Sequence, residues 1–471
     1  MSHPLRLDPA RFFPAEPRVR AIAQDLFAEI ETLPIVSPHG HADPAWFASD
    51  ASFDDAPGLI VIPDHYLLRM LASQGVGPER LGVRPLDGGA YQTDRRAAWR
   101  CFAEHYHLFR GTPSRLWLDH AFAEVFGLDV RLEAATADHY FDTLAAALAE
   151  PGFRPRALFE RFRIEALATT EGALDPLTHH AKLRDSGWRG RVIPTFRPDD
   201  ITDPDRPGFL GRLATLGGST NEDTTTWSGL LAALAARRAF FRLHGATATD
   251  HGPPSAMTAD LGRSEAQALL DRLMLGRPNP GDAELFRAQM LTEMAAMSFE
   301  DRMVMQLHPG ARRDHNPEML KRFGRDMGWD IPTKANFVDG LKPLLDRFGN
   351  AAGFTLVLFT LDRAVWARDL APLAGAYPCL RLGAPWWFND SFDGMISFRR
   401  QVTETVGFYN TVGFADDTRA FISIPARHDL ARRIDCAFLA ELVATHRLEL
   451  DEAAELARDL AHDLAKAAYK L

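Results

Sequence analysis

Cysteine is scarce and scattered in this chain. The three in 471 residues, Cys101, Cys379 and Cys436, show no CxxC spacing. That excludes a thiolate metal site built from neighbouring residues and a disulfide framework, and it fits a reducing compartment. Long apolar runs are missing too. No stretch approaches the uninterrupted length a bilayer helix needs, and the opening residues carry no apolar leader core, so a cytoplasmic protein is expected. Basic excess is also absent: 53 Lys and Arg face 63 Asp and Glu, a formal net charge of -10. Such a surface argues against a nucleic-acid or anionic-membrane partner. Nor is there an internal repeat, a low-complexity linker or a charge block to mark a domain boundary, and residues 1–471 read as one domain.

What is present is an ordinary globular composition, 46% hydrophobic, organised as short apolar runs between helical stretches. Val19, Ile22, Ala23, Leu26, Phe27 and Ile30 recur at helical spacing, and Pro34 closes that helix before the first strand, Pro34 to Val36. Further strands are predicted at Glu165 to Thr170, Arg191 to Phe196, Phe240 to Gly245, Met303 to His308, Phe354 to Leu361, Cys379 to Gly383 and Phe408 to Ala415. Eight strands, mostly separated by helix-length segments, predict a (β/α)8 barrel. Two intervals are too long for simple connections. Residues 42–163, rich in aromatic helical stretches, predict a helical insertion after strand one that overhangs the barrel mouth. Residues 248–301 read as a second flap. The C-terminal stretch from Asp451 to Lys470 predicts an amphipathic helix with Asp451 as its N-cap.

Chemistry in such a barrel gathers at the carboxyl ends of the strands. His39-Gly40-His41 stands there after strand one, with a spacing that can turn both imidazoles toward one ion. Arg197 and Asp199 follow strand three, His244 ends strand four, His308 ends strand five, and Asp417 with Arg419 follows strand eight. His39, His41 and Asp417, with His308 as a further candidate ligand, make a set of imidazoles plus one carboxylate suited to one divalent ion such as Zn²⁺. A structural role for His308 stays open, and His244 and His251 read as supporting or packing residues.

Several motifs in order extend this picture: Pro34 to His41, Asp64-His65-Tyr66 with Arg69, Thr169-Thr170-Glu171, Pro194 to Asp199, Asp250-His251-Gly252, Met305 to His308, Trp386-Trp387-Phe388-Asn389-Asp390, Asp417-Thr418-Arg419 and Arg427-His428. Together they resemble the uronate isomerase family, also called glucuronate isomerase, of the amidohydrolase superfamily. The resemblance implies a distorted (β/α)8 barrel. It also implies interconversion of D-glucuronate with D-fructuronate and of D-galacturonate with D-tagaturonate. No lysine stands at the predicted end of strand four, where many superfamily hydrolases bind a bridging carbamate, so a mononuclear site is expected. The expected partners are a small hexuronate and further copies of the chain in a homo-oligomer.

An aldose becomes a ketose when a proton leaves the carbon beside the carbonyl and an enediol takes it back at the neighbouring carbon. Asp417 is read as the base and Tyr66 as acid or hydroxyl partner, with the reverse assignment open. His65 is read as a hydrogen-bonding partner of a sugar hydroxyl. The far carboxylate of the substrate calls for a planar guanidinium, and Arg197, Arg419 and Arg427 are the candidates. Trp386 and Trp387 are read as pocket walls. Amide hydrolysis or deamination on the same barrel, and a non-catalytic sugar-acid binder, are the competing readings.

Overall fold

Short apolar runs can bury both faces in a parallel sheet when helices cover them, and seven do so here. The computed structural model describes residues 3–471. Its main sheet runs in chain order through β1 (Ile35–Ser37), β2 (Ile164–Gly172), β3 (Arg191–Arg197), β4 (Ala248–His251), β5 (Val304–Leu307), β6 (Leu356–Leu358) and β7 (Leu380–Leu382). Every neighbouring pair is parallel, with registers such as Ser37 beside Leu167, Thr170 beside Thr195, Asp250 beside Gln306 and Leu358 beside Leu382. Crossover helices pack outside through a core that includes Phe196, Leu230, Phe241, Leu270, Met294 and Leu307. No described helix is long and apolar enough to cross a membrane.

The eighth position is an irregular ribbon where a strand at 408–415 is predicted. Thr411 makes one parallel bridge to Leu382. Gly407 and Gly413 sit at φ 69° and 72°, and a Cβ on Gly413 would lie 2.8 Å from the Leu460 carbonyl oxygen. The backbone therefore turns there and cannot run on as a strand. Closure comes further along: Asp417 N donates to His39 O at 3.2 Å, and His41 N donates to Thr418 O at 3.0 Å. The architecture is a distorted (β/α)8 barrel.

Three other expectations need correction. The apolar run Phe240 to Gly245 ends the helix Trp227–Leu243, which buries Leu230, Ala233, Leu234 and Phe241 at helical spacing. Gly245, at φ 94°, follows the His244 cap, the usual glycine stop. The fourth strand comes after it, at Ala248–His251. Residues 248–301 are no flap, since the helices Arg263–Met274 and Asp282–Asp301 pack into the outer layer through Leu269, Leu270, Phe286 and Met290. The C-terminal helix begins at Leu450 with Glu449 as N-cap in a capping box with Glu452, and Asp451 lies within its first turn.

Two excursions bound the mouth. Between β1 and β2 lie the helices Pro44–Ser49, His65–Ser73, Arg95–His105, Pro113–His120, Ala137–Ala149 and Pro155–Arg161. Phe102, Tyr106, Phe122 and Tyr140 bury their rings among them. After β5, the antiparallel pair Ala311–Arg312 and Ile331–Pro332 flanks the short helix Pro317–Phe323.

Candidate active site

The end of β1 and the ribbon after residue 411 meet where their backbones cross-bond. Asp417 Oδ1 stands 3.5 Å from His39 Nε2 and 3.1 Å from His41 Nε2. Burial alone would raise the Asp417 carboxyl, but His39 and His41 beside it reverse that and hold it below the ordinary carboxylate range. Burial lowers His41. A neutral imidazole facing an ionised carboxylate is the pairing a cation requires of its ligands.

His308 closes β5 and stacks on His39, ring centroids 4.8 Å apart, and on Phe359 at 4.0 Å. Its Nδ1 lies 2.7 Å from Asp250 Oδ1, while its buried Nε2 has no partner. Asp250 stands next to last in β4, where it also lies 3.3 Å from Arg197 Nη1. Burial opposes ionisation of Asp250, and Arg197 with His308 overcomes it, holding the carboxyl well below its usual range. Arg197 Nε donates to Asp199 Oδ2 at 2.9 Å, and Gly252 N donates to both oxygens of Asp199 at 3.1 Å. A Cβ at Gly252 would stand 2.5 Å from Arg197 Nη2, so a larger residue there would displace this guanidinium.

Two three-residue groups could hold a metal ion, His39 with His41 and Asp417, and His39 with Asp250 and His308, with ligand atoms all within 4.8 Å of one another. The orphaned Nε2 of His308 and the imidazole-plus-carboxylate chemistry both fit a cation. The two groups share His39.

His65 and Tyr66 open the helix His65–Ser73, whose N-cap Asp64 accepts from Tyr66 N at 2.9 Å and Leu67 N at 3.3 Å. That cap turns both rings over the mouth. Tyr66 Oη donates to Asp390 Oδ2 at 2.6 Å. Burial and then Asp390 push the phenol well above its ordinary value, and burial followed by Arg419 and Arg427 holds His65 well below its own. The His65 ring sits 4.6 Å from Trp387, and Trp386 meets His308 edge-on at 4.8 Å.

These groups surround a cavity of about 370 Å³, within the range of small-molecule sites. His39, His41, His65, Tyr66, Arg197, His308, Trp386, Trp387, Asp417 and Arg419 all line it. Arg427 does not. It lies one turn inside the helix Ile424–Ala444, buried, with Nη1 on Asp390 Oδ2 at 2.8 Å and its guanidinium 3.6 Å from the Trp117 ring centroid. The expectation that it reaches substrate is not met by this arrangement, because it lies outside the cavity lining and pairs with Asp390. His244 is likewise remote from the cavity, its Nδ1 2.9 Å from Phe240 O at the end of a helix.

Sequence reasoning passed over Asp250, Asp390 and the pair Arg313 and Arg325 as site candidates. Arg313 and Arg325 reach the cavity from the excursion after β5. The clustered charges Arg312-Arg313-Asp314 and Arg325-Asp326 between glycines could have flagged a mouth loop there. Asp250 was hidden by the misplaced fourth strand.

Comparisons with known proteins agree with one another. The chain matches the glucuronate isomerase family over residues 18–469. It is 61% identical to the uronate isomerase of Rhizorhabdus wittichii over 468 residues, 99% of each chain. The crystal structure of glucuronate isomerase from Caulobacter crescentus superposes with a TM-score of 0.97 at 55% identity, covering 99% of this chain and 98% of that one. The uronate isomerase of Thermotoga maritima gives 0.91 at 27% identity over 98% and 99% of the two chains. The chain belongs to the glucuronate isomerase family.

Proposed function

We propose that this enzyme interconverts hexuronate aldoses and ketoses, D-glucuronate with D-fructuronate and D-galacturonate with D-tagaturonate, by proton transfer through an enediol. The observation that carries this reading is the meeting of His39, His41 and Asp417 inside a cavity ringed by arginines. One divalent ion, Zn²⁺ by the donor set, would be held by His39, His41 and Asp417, with His308 close by; when bound it would stabilise negative charge on the sugar oxygens.

The residues divide the remaining work. Asp417 is ionised at neutral pH and serves as the base that takes the proton from one carbon and returns it to the next. Tyr66 serves as the hydroxyl partner at the sugar oxygens, and His65, held neutral, hydrogen-bonds a sugar hydroxyl. Arg197 and Arg419 receive the carboxylate; Arg419 Nη1 already donates to Asp326 O at 2.8 Å, which fixes its aim. Trp386 and Trp387 wall the pocket and exclude water. We read residues 42–163 as an insertion that carries His65 and Tyr66 over the mouth of a single barrel domain.

The test is product identification with the purified protein. Ketose formation from D-glucuronate and D-galacturonate is expected, with no ammonia released from amides. Ammonia release without ketose formation would overturn the reading in favour of a hydrolase.

A further inference from the structure

Behind Tyr66 lies a buried charged cluster with no part in the reaction as described. Asp390 takes hydrogen bonds from Tyr66 Oη at 2.6 Å and from Arg427 Nη1 at 2.8 Å on the same oxygen, Oδ2, while its Oδ1 is buried without a partner. Arg427 is fixed in turn. Its guanidinium lies 3.6 Å from the Trp117 ring centroid, Nε donates to Ser423 Oγ at 3.2 Å, and Nη1 also reaches Asp416 O at 3.3 Å. Trp117 meets Tyr66 edge-on at 5.5 Å. Tyr66 and Trp117 come from the helices between β1 and β2, Asp390 from the segment after β7, and Arg427 from the helix Ile424–Ala444.

Packing alone does not call for this arrangement, because a buried ion pair carries a desolvation cost that apolar side chains of like volume avoid. What a carboxylate does here, and an apolar group would not, is take the phenol's only proton. A tyrosine hydroxyl has one proton to donate and lone pairs to accept with. With that proton committed to Asp390, which does not line the cavity, the phenolic oxygen can offer a ligand only a lone pair. Burial and the nearby carboxylate keep the phenol protonated.

We propose that Asp390, held by Arg427, is a positioning residue for the isomerisation: it draws the Tyr66 hydroxyl proton away from the cavity and leaves Tyr66 to accept a hydrogen bond from a substrate hydroxyl. The proposal rests on Tyr66 acting at the substrate, as read above. It assigns Tyr66 the acceptor's part in the ground state and makes Arg427 a support for that geometry.

The experiment is a double-mutant cycle on kcat and KM with Asp390→Asn, Tyr66→Phe and the pair, each checked for its melting temperature. Asp390→Asn is expected to lower kcat about 10- to 100-fold, the usual cost of losing a partner that orients an active group, with KM moving less than about threefold. In the Tyr66→Phe background the same change should cost nothing further, because two residues acting through one interaction are not additive. If the two losses multiply, Asp390 is structural and the proposal falls. Asp390→Asn with turnover within about twofold of the parent, beside an impaired Tyr66→Phe, overturns the proposal and leaves the role of Tyr66 standing. A fully active Tyr66→Phe overturns both. Should Asp390→Asn fail to fold, Arg427→Lys replaces it in the cycle: it keeps a cation on Asp390 but gives up the plane stacked on Trp117, and the same non-additivity is expected.

Discussion

Asp417 holds a backbone conformation, φ 40°, that non-glycine residues rarely adopt. Such strain persists where the surroundings over-determine it and gathers at functional sites; here the cross-bonds between residues 39 to 41 and 417 to 418 supply the restraint. Arg197 is equally over-determined, since Asp199 and Asp250 both hold it. Arg197→Lys would keep the cation on those two carboxylates while losing the planar fork, so KM for uronates should rise about 10- to 100-fold, the worth of one charged hydrogen bond, with a smaller fall in kcat. Steady-state kinetics with D-glucuronate check this, and an unchanged KM would remove Arg197 from the carboxylate site. Glu171 makes a pH prediction. It stands 3.7 Å from His180, yet the two are no ion pair, because burial pushes the Glu171 carboxyl up to about 8 and holds His180 down at about 4. The unfolded carboxyl titrates near ~4.3, so between that value and about 8 the folded chain binds the extra proton and this residue's contribution to stability falls as pH rises. Glu171→Gln should therefore raise the melting temperature more at pH 8 than at pH 5. An equal shift at both pH values would contradict the assignment. Much of the residue scale was legible: His39, His41, His308, Asp417 and Arg419 stand directly after apolar runs, where chain order alone places them at the mouth. Arg427 was expected at the mouth because its sequence position does not reveal that it sits inside a helix, paired with Asp390 and outside the cavity lining.

Elements decided what was hidden. Phe240 and Phe241 have the strand-forming composition that suggested a fourth strand, but they continue a helical stripe from Leu230, and tertiary burial of that stripe overrides local propensity. The error displaced Asp250 and His251 from the strand end where they belong and kept Asp250 off the list of candidates. The excursion after β5 escaped for a different reason: its paired strands are two residues each, too short for any alternation to register. The helix His65–Ser73 was foreshadowed only by its motif, yet its start determines where two site rings point. Asp64→Ala, which removes the N-cap, should cost about 0.5–2 kcal/mol in denaturant unfolding. It should also lower kcat through the loosened Tyr66, and a variant that loses stability with kcat intact would show that the cap does not steer the rings.

On the scale of the whole molecule, residues 39 and 417 are brought together by closure of the barrel, so side chains from both ends of the chain meet at one place. Anything that binds those residues only when folded stabilises the entire fold. Added Zn²⁺ at 100 times its Kd should stabilise the protein by about 2.7 kcal/mol, raising the melting temperature of the parent but not of His41→Asn; an equal rise in both would place the ion elsewhere. The barrel and the approach of Arg197 and Arg419 to its mouth were legible from the ordered strand runs, whereas the irregular eighth ribbon depends on Gly413 passing the Leu460 carbonyl, a contact no local pattern announces. The most direct measurement is ketose formation from D-glucuronate by Asp417→Asn, with folding verified by melting temperature. Loss of the base predicts a fall in kcat of about 10²- to 10⁴-fold in a folded protein. Turnover close to that of the parent would contradict the central claim that His39, His41 and Asp417 form the centre of the reaction.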